Sequence, residues 1–294
     1  MYAQFFGTFL LSHNIVTKDQ LLSALGKKSS QHMKLGTLAI MKGYMTANEV
    51  DNVIISQTHN DCRFGDLAVR EGYLTQEQVD ELVKTQYPDF LLLGQTLVDE
   101  GYITNTQLET LIADYESENE LTDLDYSNEK QDDLDRILAN FFHSTDVAAD
   151  EYNASYMRLL FNDLTRFIGD DFTPLCFNPC KEYPVNYCVS QTIHGDLSAK
   201  VYLDMPETTC ISFASRYVNE EFTEFDEYVQ ASLEDFLNLH NGLYNVNISN
   251  TLGKELTLEA PEVVSDELID LSDSSYLLQI MYPFGIVNFI FELK

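Results

Sequence analysis

Basic residues are scarce in this chain. Its 294 residues include 17 lysines and arginines against 48 aspartates and glutamates, giving a formal net charge of −31 at pH 7. A surface this acidic repels nucleic acid and anionic lipid, because both carry negative charge. We therefore expect no nucleic-acid binding, and a protein with a basic rim is the more natural partner.

Long apolar runs are also missing. No stretch of 18 apolar residues occurs, so we expect no segment that spans a membrane. The apolar residues 1–12 lack the basic start and the small-residue cleavage site of a secretory signal. The sequence gives no indication of membrane association.

Cysteine numbers only five, and the residues are spread through the chain. An odd, scattered set is typical of reduced thiols in the cytoplasm rather than of a disulfide framework. Cys176, Cys180 and Cys188, with His194 as the nearest histidine, match no common zinc spacing. We expect no metal site and a cytoplasmic location.

Residues 1–115 contain four copies of one unit. Three columns recur every 29 residues: Gly7, Gly36, Gly65 and Gly94; Asn14, Gly43, Gly72 and Gly101; Thr17, Thr46, Thr75 and Thr104. A fixed period in three columns indicates a repeat architecture. Glycine or asparagine favours the end of one helix, and threonine followed by Gln or Glu three residues later begins the next. The pattern predicts an all-α domain of four helical hairpins.

The repeat resembles the N-terminal domains of type II secretion and type IV pilus assembly ATPases, including the MshE-type domain that binds cyclic di-GMP. That motif opens with Arg-Leu-Gly and closes with Gln 21 residues after the glycine. The two middle copies come nearest, with Lys replacing Arg at 34 and Phe replacing Leu at 64. The resemblance implies a cyclic di-GMP site at Lys34, Gly36, Gln57, Arg63, Gly65 and Gln86. The alternative is a protein-docking or spacer module whose glycines permit tight packing.

An acidic joint follows the repeats. Residues 116–136 carry nine acids and two bases with few apolar side chains, a composition typical of a solvated linker. We expect a linker over 116–150, with a short helix at Leu134–Phe142. The chain then divides into two domains, 1–115 and 151–294.

The second half alternates helix and strand patterns. Helical periodicity covers Tyr152–Ile168, a helix beginning at Pro206, and Thr223–Asn241. The asparagine-rich stretch Asn238–Asn250 leaves open whether the last helix ends at Gly242 or continues past it. Strand patterns cover Pro184–Ile193, Ser198–Met205, Leu256–Val264, Tyr276–Pro283 and Ile286–Leu293. The first two strands form a hairpin around His194-Gly195-Asp196. These elements predict an α+β domain with an antiparallel sheet covered by helices.

Ala231–Gly242 is the stretch that suggests chemistry. Helix geometry places Asp235 about 60° and Glu234 about 40° from Asn238, while large apolar residues take the other side. A carboxylate beside a carboxamide on a rigid helix can position a water or dock a protein. The alternative is an ordinary amphipathic helix with a solvated face.

The order of elements and residues 194–242 resemble the CheX branch of the CheC/CheX/FliY chemotaxis phosphatases. The family motif is Glu, then Asn three residues later, often with Ser or Asp four before the Glu and Gly four after the Asn. Asn238 and Gly242 match it, whereas Asp235 replaces the Glu and Ala231 the Ser or Asp.

The resemblance implies dephosphorylation of the phosphoaspartate of a CheY-type response-regulator receiver domain. Asn238 would orient the attacking water and Asp235 would pair with a receiver lysine, with Glu234 as a second candidate carboxylate. The receiver would supply Mg²⁺, so no cofactor of its own is expected. The alternative is a non-catalytic receiver-binding or scaffold protein, responding to cyclic di-GMP at the repeats. A second copy of the chain is a further candidate partner.

Overall fold

The computed structural model describes residues 2–28, 31–85, 87, 89–119, 137–142 and 151–293. The chain divides into two compact units, Met1–Ile137 and Leu138–Lys294. The division falls inside the predicted joint at 116–150, most of which lies outside the described residues, so the predicted domain boundaries stay predictions. Within the joint, one helix ends at Glu118, and residues 137–142 are helical.

The first unit is helical. Its helices are α1 (Tyr2–Ser12), α2 (Lys18–Lys28), α3 (Leu35–Met41), α4 (Ala47–Gln57), α5 (Phe64–Arg70), α6 (Gln76–Lys84), α7 (Asp89–Asp99) and α8 (Asn105–Glu118). They follow one another as four pairs, which confirms the predicted all-α N-terminal region.

Local sequence determines where these helices begin and end. Thr46, Thr75 and Thr104 each form a capping box with the Glu or Gln three residues later. The second residue after the first helix of each pair has a positive φ, a conformation that favours glycine and asparagine: Asn14 (55°), Gly43 (66°), Gly72 (81°) and Gly101 (73°). The predicted helix ends are confirmed.

The recurring glycines Gly36, Gly65 and Gly94 permit close helix packing. A Cβ added at Gly36 would lie 2.8 Å from Cγ1 of Val50, and one at Gly94 would lie 2.5 Å from Cδ1 of Leu108. At Gly65, Leu35 and Val79 would each come within 3.1 Å. These contacts favour the packing explanation for the glycines.

The second unit combines three long helices with a sheet. Its elements are α9 (Glu151–Asp163), continued by a π-helical turn at Leu164–Ile168; β1 (Thr173–Pro174), β2 (Asn178–Pro179), β3 (Glu182–Pro184), β4 (Tyr187–Gly195), β5 (Ala199–Met205); α10 (Glu207–Val218), α11 (Glu227–Leu252); β6 (Leu256–Leu258), β7 (Glu262–Ser265), β8 (Leu268–Asp270), β9 (Ser275–Tyr282) and β10 (Gly285–Leu293).

The main sheet is antiparallel, in the order β1-β9-β10-β5-β4-β6, with β2 also on β9 and β7 on β4. The predicted hairpin is present as β4 and β5, in register at Gln191↔Val201. Strands β3 and β8 form a separate pair. The predicted antiparallel sheet with helices is confirmed.

The two faces of the sheet are covered differently. Cys188, Tyr202 and Ile290 belong to one buried cluster, against which Tyr183 of β3 and Ile269 of β8 pack. Side chains alternate along a strand, so Gln191 faces the opposite side from Cys188. That opposite side carries α11, because Gln191 hydrogen-bonds to two α11 side chains.

Helix α11 is longer than the sequence predicts. It begins at Glu227 rather than Thr223, because the Asp226 carboxylate accepts hydrogen bonds from the backbone N–H groups of Tyr228 and Val229. It continues past Asn241 to Leu252 and ends at Gly253, whose φ is 65°. Gly242 lies inside the helix, so of the two ends that the sequence leaves open, the structure has the one beyond Gly242.

Candidate functional site

The candidate site is the solvent-facing ridge of α11 formed by Asp235 and Asn238. Leu233, Phe236 and Leu237 are almost fully buried, whereas Asp235 and Asn238 are exposed. The helix therefore presents the predicted carboxylate and carboxamide together, on successive turns of one face.

A buried side chain holds the exposed Asn238. The Gln191 side chain, on β4 and 1% exposed, donates from Nε2 to Oδ1 of Asn238 at 2.8 Å. The same Nε2 donates to the backbone carbonyl of Glu259 at 2.8 Å. Asn238 is thus restrained although it faces solvent.

The chain of hydrogen bonds continues inward. Asn241 donates from Nδ2 to Oε1 of Gln191 at 2.8 Å, and accepts at Oδ1 from the hydroxyl of Tyr156 at 2.7 Å. Burial raises the pKa of the Tyr156 phenol well above its ordinary value, so this hydroxyl keeps its proton. The polar network Tyr156–Asn241–Gln191–Asn238 links α9, β4 and α11.

Asp235 is restrained from the other flank of α11. The Tyr217 hydroxyl, on α10, donates to Oδ2 of Asp235 at 2.6 Å. Burial, and then this bond to a carboxylate, raise the pKa of Tyr217, which remains a donor at neutral pH. Its ring packs edge-on against Phe167 and Phe236, so the position of the hydroxyl is set by the core.

Glu234 is half-buried and has no hydrogen-bond partner in the part of the chain that is described. Burial of the phenol, and then the negative charge of Glu234, raise the pKa of Tyr187 to about 12. It lies one turn before Asn238, as the sequence predicts, but its side chain is not held as that of Asp235 is.

A second buried polar pair lies on the inner side of α11. His240 is fully buried, and its Nδ1 lies 2.7 Å from Oδ2 of Asp163 on α9. Burial lowers the pKa of His240, although Asp163 opposes this change. The His240 ring also packs edge-on against Tyr156, beside the polar network.

The surface around Asp235 is acidic and partly aromatic. Residues 217–253 contain seven acidic residues and no lysine or arginine. An open groove of about 530 Å³ lies between α10 and α11, with Tyr217, Tyr228, Ala231 and Asp235 among its lining residues. Tyr228 is 65% exposed. Such a surface suits a partner that presents basic and apolar groups.

The structure brings together some of the residues predicted to bind cyclic di-GMP. Lys34, Gly36 and Gln57 line one cavity of about 340 Å³ in the first unit, whereas Arg63 and Gly65 are not among its lining residues. The Lys34 ammonium pairs with Asp99, and Gln57 donates to the backbone carbonyl of Cys62 at 2.9 Å. Gln86 lies outside the described residues.

All five cysteines are free thiols. No cluster of three or more potential metal ligands occurs among the described residues. Across the same residues, no helix has the length and apolar character needed to cross a bilayer.

The sequence of the second unit matches the model of a known family. Residues 187–285, which include β4 and the whole of α11, match the model of the family described as chemotaxis phosphatase CheX. The second unit therefore contains a CheX domain, as the resemblance of residues 194–242 implied.

Several solved structures are similar to the second half of the chain. The chemotaxis protein CheX from Desulfovibrio desulfuricans is 12% identical, over 49% of this chain and 100% of that one, with a TM-score of 0.42. A CheC-like superfamily protein from Shewanella sp. PV-4 is 18% identical, over 49% and 97%, with a TM-score of 0.43. A CheX–CheY–BeF3–Mg²⁺ complex from Borrelia burgdorferi is 15% identical, over 49% of this chain and 98% of that one, with a TM-score of 0.43. No curated protein matches the sequence of this chain.

Sequence reasoning missed the residues that hold the ridge: Tyr156, Gln191, Tyr217 and Asn241. One signal was available, because Gln191 places a carboxamide between Val189 and Ile193 on the buried side of a strand. A buried amide needs hydrogen-bond partners, so it marks a polar contact inside the domain. Nothing local identified Asn238 as that contact.

Proposed function

We propose that this protein dephosphorylates the phosphoaspartate of a CheY-type receiver domain in the cytoplasm. The observation that carries the proposal is Asn238 itself, an exposed carboxamide held at 2.8 Å by a buried glutamine within a CheX domain. A side chain required only for solubility would not need such a restraint.

In this reaction a water attacks the phosphorus of the phosphoaspartate, and the bond from phosphorus to the carboxylate oxygen breaks. The products are inorganic phosphate and the free aspartate. The receiver contributes the phosphoaspartate and Mg²⁺, and this chain contributes positioning through Asn238. Positioning and charge stabilisation are the main requirements of phosphoryl transfer.

Asp235 has a docking role in this proposal. Tyr217 holds its Oδ2, which leaves Oδ1 for a lysine of the receiver. Asp is one methylene shorter than Glu, and a misplacement of about 1 Å can lower a rate about 10²-fold. The bond from Tyr217 limits that loss by fixing the carboxylate, while Glu234 adds negative charge one turn before Asn238.

The test is the decay of a receiver domain phosphorylated with acetyl phosphate, after removal of the donor, with and without the full-length protein. We expect faster decay with wild type, and a loss of about 10²-fold in that acceleration with Asn238→Ala. Unaccelerated decay with wild type would contradict the proposal. If the receiver activated with BeF3 then still bound, the result would favour the non-catalytic scaffold.

A second candidate function is cyclic di-GMP binding by the first unit, favoured by the shared cavity of Lys34, Gly36 and Gln57. Calorimetry on the full chain tests it, with Lys34→Ala and Arg63→Ala as variants. Binding that Lys34→Ala weakens would support the cavity as the site. Absence of heat with wild type would remove this function.

A further inference from the structure

We infer that Gln191 is a positioning residue that fixes the direction of the Asn238 carboxamide and turns its amino group outward. The direction itself depends only on the hydrogen bonds of the described residues. The further statement, that this amino group faces the phosphoryl group of the receiver, rests on the proposed function.

The direction follows from the backbone carbonyl of Glu259. A carbonyl oxygen can only accept, so the side chain of Gln191 must present its amino group at this position. The same Nε2 atom faces Asn238 at 2.8 Å. Because Nε2 of Gln191 donates, Asn238 must present an acceptor to it. Asn238 therefore directs Oδ1 toward Gln191 and Nδ2 away from it.

The opposite arrangement is internally inconsistent. If Asn238 directed its amino group inward, Gln191 would have to present Oε1 to it. That oxygen would then also face the carbonyl of Glu259, and two acceptors would meet without a proton between them. The hydrogen bond to Glu259 would be lost beside a side chain that is 1% exposed.

The inner end of the polar network supports the same direction. Tyr156 donates to Oδ1 of Asn241, and Asn241 in turn donates from Nδ2 to Oε1 of Gln191. Every bond in the network then has one donor and one acceptor. Reversal would require all three side-chain amides to turn together.

The outer end is fixed by the sheet. The backbone N–H of Glu259 donates to the carbonyl of Thr192 at 3.0 Å, next to Gln191 on β4. This bond holds the Glu259 carbonyl beside the strand that carries Gln191. The acceptor that sets the orientation of Gln191 is therefore a backbone carbonyl, which cannot rotate as a side chain does.

The chemical consequence concerns which atoms of Asn238 remain free. Both N–H bonds of Nδ2 are available to a partner, whereas one of the two lone pairs of Oδ1 is already used by Gln191. An amino group is the correct donor for a negatively charged phosphoryl oxygen. The remaining lone pair of Oδ1 can accept from the attacking water.

The first experiment measures the direction without any receiver. In full-length protein labelled with ¹⁵N at Asn and Gln side chains, NMR gives the solvent exchange of each amino group. We expect rapid exchange at Nδ2 of Asn238 and protection at Nε2 of Gln191. Protection of the Asn238 amino group would overturn the inference, whatever the activity of the protein.

The second experiment uses the isosteric variant Gln191→Glu. Its carboxylate can only accept, so Asn238 must turn its amino group inward and its oxygen outward. With a phosphorylated receiver we expect kcat to fall about 10-fold to 100-fold while KM is unchanged. Because burial raises the pKa of a carboxyl group, kcat is measured up to about pH 9, and a kcat unchanged over that whole range would overturn the positioning role.

The pH dependence separates positioning from a structural defect. At lower pH the introduced carboxyl group gains a proton and can donate to Asn238, so kcat relative to wild type should recover. Gln191→Leu cannot recover in this way and is the matched control. The other ionisable groups around this position are Asp163, His194, Asp235, His240 and Glu259. They are identical in all three proteins, which differ only at position 191. Equal profiles for the Glu and Leu variants would contradict the inference.

Discussion

Polar side chains serve different purposes in the two units of this protein. In the first unit the recurring threonines cap helix ends at exposed positions, and the glycines bring helices together. In the second unit Tyr156, Gln191 and Asn241 are buried and hydrogen-bonded to one another. Burial of polar groups is costly unless they are paired. A buried network that ends on an exposed Asn238 therefore indicates function more strongly than surface caps do.

The largest expected effect comes from breaking this network at its centre. Asn241→Ala leaves the Tyr156 hydroxyl and Oε1 of Gln191 unpaired, and should lower the free energy of unfolding of the second unit by about 3 kcal/mol. Urea denaturation measures it. Asn238→Ala is the control, since Gln191 keeps its bond to Glu259, and should cost less than about 1 kcal/mol. Equal losses would show that the network is not a stabilising unit.

The buried His240 should make the stability of the second unit sensitive to acid. Its pKa is lowered in the folded state, so below the ordinary value of 6.5 the unfolded chain binds a proton that the folded chain does not. Stability is therefore lost as the pH falls below 6.5, by at most about 1.4 kcal/mol per pH unit.

The variant His240→Asn tests this, because its amide can still donate to Asp163. Thermal unfolding of wild type and variant should give a difference in stability that changes below pH 6.5 and stays constant above it. A difference that is independent of pH throughout would contradict the role of His240.

A smaller effect is expected where Tyr217 holds Asp235. Tyr217→Phe removes the hydroxyl and keeps the ring, so Asp235 loses its bond of 2.6 Å without loss of packing. We expect kcat/KM for the phosphorylated receiver to fall about 5-fold, corresponding to about 1 kcal/mol. Asp235→Ala removes the carboxylate itself and should cost more; a Phe variant as impaired as the Ala variant would assign Tyr217 another role.

An effect of similar size, but confined to stability, is expected from the caps of the first unit. Thr75→Ala removes the side chain that accepts from the backbone N–H of Gln78, and should lower stability by about 1 kcal/mol. Dephosphorylation of the receiver should not change. A loss of activity that accompanies Thr75→Ala would show that the capped helices contribute to the reaction.

The sequence predicted the helical pairs well because their signals are local. A capping box spans four residues, and Gly43 ends its helix through its own backbone conformation. The resemblance to a family then predicted Asp235 and Asn238 as candidate site residues, and both lie on α11. The two ends of α11 were predicted less accurately. The cap at Asp226 precedes the apolar pattern, and Gly242 resembles a helix end although it lies inside the helix.

The side chains that restrain Asp235 and Asn238 could not be predicted from the sequence, for a physical reason. Gln191 and Asn238 are 47 residues apart, and Tyr217 and Asp235 are 18 apart on different helices. Periodicity places a side chain on a face of its own element, but not opposite a particular residue of another. Those pairings depend on how β4, α10 and α11 pack.

The most direct test compares the two units in one assay of phosphorylated receiver decay. Full-length wild type, Asn238→Ala and Lys34→Ala are added in turn at equal concentration. The account predicts acceleration by wild type, a loss of about 10²-fold with Asn238→Ala, and no change with Lys34→Ala. Acceleration that survives Asn238→Ala would contradict the central claim that the ridge of α11 performs the reaction.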